Sequence, residues 1–377
     1  MARTATENTV PAIPACLALL PRQLSVTLKK VAPGPTFPVS MPRFRYGNGW
    51  LSVALTTIEP SHELVPNLTL MDDINVNHSG GKDSRVMARY MCELARAAGV
   101  LDRVTILHND LGMVEWPGTA ELDAQYADYY RATFGATLVE LFGDRPSAKD
   151  LARQDAELYG VPFVVRSRML KDGTPGDLIQ QIEQYGAFPD AARRHCTSEQ
   201  KRAPKHADFT RRVRERALGR KMLILDVNGE RGDESTARMK KAPFEYNRVA
   251  SNKTKRSVWT WRPLHDWTLS DIWDYHAEHG IERHWWYDAG GGRLSCSICV
   301  LGSNIDITLA CLYRPNLAQR YRGLEVTTGH LFKHRRSIRH YIDAAARLTA
   351  DDIHAHIRAA SLPTPAPTTA GGCSSAS

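Results

Sequence analysis

Six consecutive residues, Ser79, Gly80, Gly81, Lys82, Asp83 and Ser84, have the composition of an anion-binding turn. Adjacent glycines let the backbone turn tightly and bring its N–H groups close to a ligand, while Lys82 adds charge and two hydroxyls add donors. The usual occupant of such a loop is a phosphate. A second polar cluster, "HNDLGMVEWPGT", carries His108, Asp110 and Glu115, and a third, "NGERGDESTARMKK", carries Arg231, Asp233, Glu234, Ser235 and Arg238. Arg231 and Arg238 are two helical turns apart, so an irregular first turn would let both face one anion; the plainer reading is a solvated helix start with internal ion pairs. Cys296 and Cys299 form a C-x-x-C, Cys311 follows on a helical stretch, and Cys196 lies far upstream. Three or four thiolates suit an iron–sulfur cluster or zinc, and buried unreactive thiols are the alternative.

The elements around the loop supply its geometry. Ile74 and Val76 alternate with polar neighbours as in a short strand, and Val86, Met87, Tyr90, Met91 and Leu94 then share one helical face, with Gly99 as the stop. The loop therefore joins a strand to a helix N-terminus, where free N–H groups and the dipole favour negative charge. It is not a Walker A loop, because Asp83 follows the lysine and the upstream glycine is missing. Further strand-like runs, "RVTILHND" and "KMLILDVNG", alternate with helical patterns in "PGTAELDAQYADYYRATFG" and "HADFTRRVRERALG". That alternation predicts an α/β fold, a parallel sheet flanked by helices, with the site outside the carboxyl ends of the strands.

At 377 residues, 42% hydrophobic and 24% charged, the chain can bury a large core. No stretch reaches the roughly 18 apolar residues of a membrane span, and "PAIPACLALL" makes a poor signal peptide. Seven cysteines, odd in number and unevenly placed, argue against a disulfide framework, so a cytoplasmic protein is expected. The formal charge of +8 points to an anionic partner, which nucleotide, oxyanion or nucleic acid would each satisfy. Composition divides the chain into a Pro/Thr-rich, partly disordered leader (1–66), a main domain (67–330), a basic helical segment (331–359) and a flexible tail (360–377). The basic runs "RRVRERALGRK" and "KHRRSIRH" are expected on two helices, either as solvated faces or as a nucleic-acid surface.

Taken together, "SGGKDS", "HNDLGMVEWPGT", "CTSEQKRAP", "GERGDES", "WRPLHDWTLSDIW" and "RLSCSIC" occur in the order of the phosphoadenosine phosphosulfate (PAPS) reductase family, within the PP-loop ATP pyrophosphatases. The resemblance covers about 70–330. Relatives include the small subunit of sulfate adenylyltransferase and the sulfurtransferase subunit of DNA phosphorothioation. The resemblance implies that Ser79, Gly80, Gly81, Lys82, Asp83 and Ser84 hold the pyrophosphate moiety of ATP, with Asp83 positioning Mg2+. It places Asp110 near nucleotide or metal, and Arg231 and Arg238 on phosphate or acceptor oxyanion. By the same resemblance, Cys196, Cys296 and Cys299 ligate a [4Fe-4S] cluster, Zn2+ being the alternative, and Cys311 is a possible fourth ligand.

Within the family, true reductases resemble this chain in fold but lack the loop lysine and use a cysteine in a C-terminal Glu-Cys-Gly-x-His stretch. Here the only cysteine near the end is Cys373. The expected activity is cleavage of ATP to AMP and pyrophosphate, adenylating an acceptor for sulfur transfer, with a sulfur donor and, as many relatives need, a partner protein. The alternatives are a PAPS or adenosine phosphosulfate reductase releasing sulfite, and a non-catalytic nucleotide or nucleic-acid binder.

Overall fold

The computed structural model describes residues 63–361 continuously, preceded by 44–46, 49–51 and 55–58. Its centre is a sheet of six strands: β1 (Asp73–Asn77), β2 (Val104–Asn109), β3 (Phe163–Arg166), β4 (Met222–Val227), β5 (Phe244–Tyr246) and β6 (Arg256–Trp261). In space the order is β5-β6-β4-β1-β2-β3, and every neighbouring pair is parallel except β5 with β6. This is the α/β architecture expected from the alternating pattern. The chain leaves β1 towards β2 and β3 and later returns to β1's other side with β4, so the strand order reverses between β1 and β4. A crevice opens at the carboxyl ends of strands at such a point.

Register explains why β1 is central. Ile74 lies between Val104 and Leu225, and Val76 between Ile106 and Val227, so branched side chains stack in rows across three strands. Val86, Met87, Tyr90, Met91 and Leu94 of the helix Lys82–Ala97 pack on that face, as their spacing predicts. The opposite face carries Asp73, Asn75 and Asp226, all buried. Polar side chains there are held by Arg212 of the helix Ala203–Arg216, which donates to Asp73 at 2.7 Å and Asp208 at 2.6 Å.

That contact corrects the reading of the first basic run. Arg211 pairs within its own helix with Asp208 and Glu215, while Arg216 reaches Asp73 and Arg220 reaches Asp72, tying this segment to the start of the central strand β1. Arg220 and Lys221 also lie beyond the helix, which ends at Arg216. Of the lysines and arginines in the second run only Arg339 is helical, within Ile338–Ala345; Lys333 and Arg336 instead pair their backbones across a tight turn.

A second layer, built from helices such as Thr119–Phe134, Asn304–Tyr313 and Pro315–Thr328, encloses an aromatic core. There Trp116 stacks on Trp286 with ring centroids 4.1 Å apart. Thr268 caps the helix Leu269–Glu278 with a reciprocal Thr268–Asp271 box, while Trp261 belongs to β6. Two antiparallel pairs, Phe44–Tyr46 with Gly49–Leu51 and Leu55–Ile58 with Glu63–Pro66, fall in the proposed leader. The rest of that leader, and the tail beyond Ser361 with Cys373, lie outside the described residues, while positions 360 and 361 close the helix Ala350–Ser361. Among the described residues no helix is long and apolar enough to cross a membrane.

Candidate active site

A cavity of about 620 Å3 opens at the strand-order reversal, walled by the ends of β1, β2, β4 and β6. The loop Ser79–Ser84 forms its floor. Gly80 has φ of +74°, and a Cβ there would run into the backbone of Ala148, so the turn requires glycine. Gly81 caps the helix Lys82–Ala97 with extended backbone and no side-chain cap, which leaves that end open to a ligand. Ser84 Oγ donates to the Gly81 carbonyl at 2.8 Å and lies 3.3 Å from Ser79 Oγ, closing the loop on itself.

Behind the loop stands a buried group that sequence reading did not single out. His78 Nδ1 accepts the Gly80 N–H at 3.0 Å, and its Nε2 lies 3.0 Å from Asp155 Oδ2. An acceptor at Nδ1 and a donor at Nε2 define the neutral imidazole, in keeping with burial, which pushes the His78 pKa down. Asp155 also accepts from Arg85 and Arg89. Burial alone would raise the Asp155 pKa, but hydrogen bonds from His78 and Arg85 hold it well below the carboxylate range. The signal was a histidine preceding the loop and an aspartate in "ARQDAELY", two short polar interruptions that periodicity reads as noise.

The structure brings several of the expected residues together. Lys82 Nζ lies 3.1 Å from Asp83 Oδ2, and Asp83 Oδ1 accepts from Arg231 Nε at 2.6 Å. Arg231 continues to Asp233 at 2.7 Å, while Arg238 pairs with Glu234. The expected long helix is a tight turn at Gly232–Glu234 followed by the four-residue helix Thr236–Met239, so Arg231 is extended backbone rather than a first-turn residue. Lys82, Asp83 and Arg238 line the cavity; Arg231 is buried directly behind Asp83. Asp110 does not reach it: one carboxylate oxygen caps the Gly112 N–H at 2.8 Å and the other lies 3.6 Å from Lys149. His108 occupies the wall instead, with its Nε2 3.0 Å from Glu115.

The far wall is a set of ion pairs whose partners sequence reading did not single out, although Glu230, Lys241 and Arg262 fall within quoted motifs. Lys205 Nζ lies 2.6 Å from Asp226, and Asn77 Nδ2 donates to the same carboxylate at 2.7 Å. Glu230 accepts from Lys241 at 2.6 Å and Arg262 at 2.9 Å. Burial favours the protonated acid, yet the hydrogen bonds and charge of Lys241 and Arg262 outweigh it and bring the Glu230 pKa down to about 2. Sequence signals existed in the polar ends of "DINVN" and "MLILDVN", where strand residues turn from apolar to amide and acid.

The thiols divide in the same plain way. Cys196, Cys296 and Cys299 line one small apolar cavity of about 30 Å3, together with Leu178, Ile182 and Tyr321. Cys296 also lines the large cavity, and among the described residues it alone belongs to both walls. Burial, then the neighbouring Cys299, pushes the Cys296 thiol up to about 12, and burial raises Cys196 as well. Cys311 stays apart, buried in the aromatic layer on the helix Asn304–Tyr313, where burial pushes its thiol up to about 12. The structure does not bring it to the other three. Among the described residues no group of three or more His, Cys, Asp or Glu is arranged to hold a metal ion.

Residues 186–302 match the phosphoadenosine phosphosulfate reductase domain, a span that takes in Cys196, the Arg231 turn and the C-x-x-C but begins after the Ser79–Ser84 loop. No curated protein matches the chain. Solved structures similar to it include PAPS reductase from Candida auris, at 12% identity over 61% of this chain and 83% of that one, with a TM-score of 0.34. Another is FMN adenylyltransferase from Candida glabrata with FMN and an ATP analogue, at 13% identity over 60% of this chain and 54% of that one, TM-score 0.32. A third is a U34-tRNA thiolase from Methanococcus maripaludis with its [4Fe-4S] cluster, at 14% identity over 74% of each chain, TM-score 0.33.

Proposed function

We propose that this chain, which carries a phosphoadenosine phosphosulfate reductase domain over residues 186–302, uses its large cavity to cleave ATP to AMP and pyrophosphate and so adenylates an acceptor for sulfur transfer. The observation that carries the reading is the intact Lys82-bearing loop at the strand-order reversal, facing a cavity that Cys296 also lines. An acceptor oxygen attacks the α-phosphorus, the bond to the β-phosphate oxygen breaks, and pyrophosphate leaves with the electron pair. Negative charge grows on the leaving group, and Lys82, with the loop N–H groups of Gly81, Asp83 and Ser84, is placed to stabilise it. Arg238, whose pKa is lowered by burial and then by the neighbouring Arg293, would meet phosphate or acceptor. Asp83 is held between Lys82 and Arg231, so an incoming Mg2+ would compete with two cations for its carboxylate.

Cys196, Cys296 and Cys299 fit a cluster by donor chemistry: three free thiols meet in one apolar cavity. Bound there, a [4Fe-4S] cluster would supply an iron site for the sulfur being moved. By donor chemistry the same thiolates would also serve Zn2+ if a fourth donor joined them, and that remains the alternative. The domain match also supports a second reading, a reductase that releases sulfite from PAPS with a thiol donor. Incubating the protein with Mg2+ and ATP, or with PAPS and a thiol, separates the two by product: AMP with pyrophosphate, or sulfite. Lys82→Ala is expected to abolish AMP formation and keep the fold, and AMP at the wild-type rate from that variant would rule the first reading out.

A further inference from the structure

Tyr287 has no part in any motif, yet it touches both halves of the site. It sits on the short helix Trp285–Asp288, buried, with its ring edge-on to Trp273 and the Lys82 ammonium 5.5 Å above its face. Its phenolic oxygen accepts the backbone N–H of Lys82 at 3.2 Å and that of Leu294 at 3.3 Å. The first belongs to the first residue of the helix behind the phosphate loop. The second lies two residues before Cys296. With its lone pairs engaged by two N–H groups, the oxygen keeps one proton to donate, and among the described residues no acceptor takes it. That oxygen lies beside Gly81, where a Cβ would stand 3.5 Å from it, from Ser79 Oγ and from Leu294 Cβ. Tyr287 also lines the large cavity.

We propose that the Tyr287 hydroxyl donates to an anionic oxygen of the polyphosphate held over Gly81, and that by its two accepted bonds it fixes the Leu294–Cys296 segment according to whether the loop is filled. This rests on the reading of Ser79–Ser84 as a polyphosphate loop. A buried donor without an acceptor carries a standing desolvation cost, which an arriving anion removes. Filling the loop then orients the phenol, and an oriented phenol holds the Leu294 N–H more firmly. Tyr287 is thus a positioning residue for the cysteine wall as well as a ligand for the anion.

The test uses the full chain, magnesium pyrophosphate as probe, and amide hydrogen exchange together with calorimetry. In the wild type, pyrophosphate is expected to slow exchange both at residues 81–84 and at Leu294. Tyr287→Phe keeps the ring and its packing; it should bind pyrophosphate about ten- to a hundredfold more weakly, the loss of one hydrogen bond to a charged group. At saturating pyrophosphate the variant should still protect the loop but no longer protect Leu294. Equal affinity and equal Leu294 protection in wild type and variant would overturn the proposal while leaving the polyphosphate loop standing. Failure of the wild type to bind pyrophosphate would remove the loop reading, and this inference with it. If the variant melts out, the wild type alone decides: protection confined to the loop, with Leu294 exchanging as before, sinks the proposal.

Discussion

The two sides of the cavity are built from different forces. The loop side is a lattice of charge, in which the buried Asp155 and Asp226 and the half-buried Asp83 and Glu230 are each held by at least one cation. The thiol side is apolar: the three cysteines share a cavity with Leu178, Ile182, Ile298 and Tyr321, and Cys196 and Cys296 pack against the cluster of stacked and edge-on rings that includes Trp116, Trp285, Trp286 and Tyr313. Buried ion pairs fix geometry at high desolvation cost, and losing one partner leaves an uncompensated charge. Aromatic packing is tolerant of pH and sensitive to volume. The loop side should therefore fail through charge, and the thiol side through shape.

The sharpest way to break that contrast is Asp155→Ala. It strands Arg85 and Arg89 and frees His78 from its tautomer, so a loss of about 3–5 kcal/mol is expected from chemical denaturation. A loss under about 1 kcal/mol would mean the charges are solvated rather than locked. Acid should act next. Glu230 has a folded pKa lowered to about 2 from an ordinary 4.5, so its contribution is complete above the unfolded value and is lost as pH falls from 4.5 towards 2. That is worth up to about 3 kcal/mol by linkage, and Glu230→Gln should flatten that part of the stability curve. The smallest expected effect on stability is the most informative about the thiols. Cys311→Ala should cost about 1–2 kcal/mol by leaving a void and should leave any iron content unchanged. Cys296→Ser should do the reverse, with little change in stability and loss of the iron. Equal iron loss in both variants would return Cys311 to the ligand set.

The regular parts of this architecture were legible because they repeat. Ile74 and Val76 show a strand, Val86 to Leu94 show a helix face, and two glycines before a lysine show the turn between them. The polar half was not, because its order is long-range. Asp155 serves a loop 70 residues away, and Lys205 serves Asp226 across two elements, pairings that no local period encodes. Asp110 and the arginine runs misled for the same reason: a charged residue looks alike in sequence whether it faces a ligand, caps a turn or clamps a helix to a sheet. Tyr287 was hidden among three consecutive aromatics that all read as core, and only its hydroxyl contacts set it apart.

Cys296 lines both cavities, and on the proposed function it would belong to two binding equilibria at once. Whatever shift it undergoes when one cavity fills is carried to the other, and reciprocity requires the two couplings to be equal. A protein loaded at the thiols would hold its nucleotide with an altered dissociation constant, and saturating nucleotide would change the hold on the thiol-bound cargo by the same factor. The loading state of one compartment could thus be read by titrating the other.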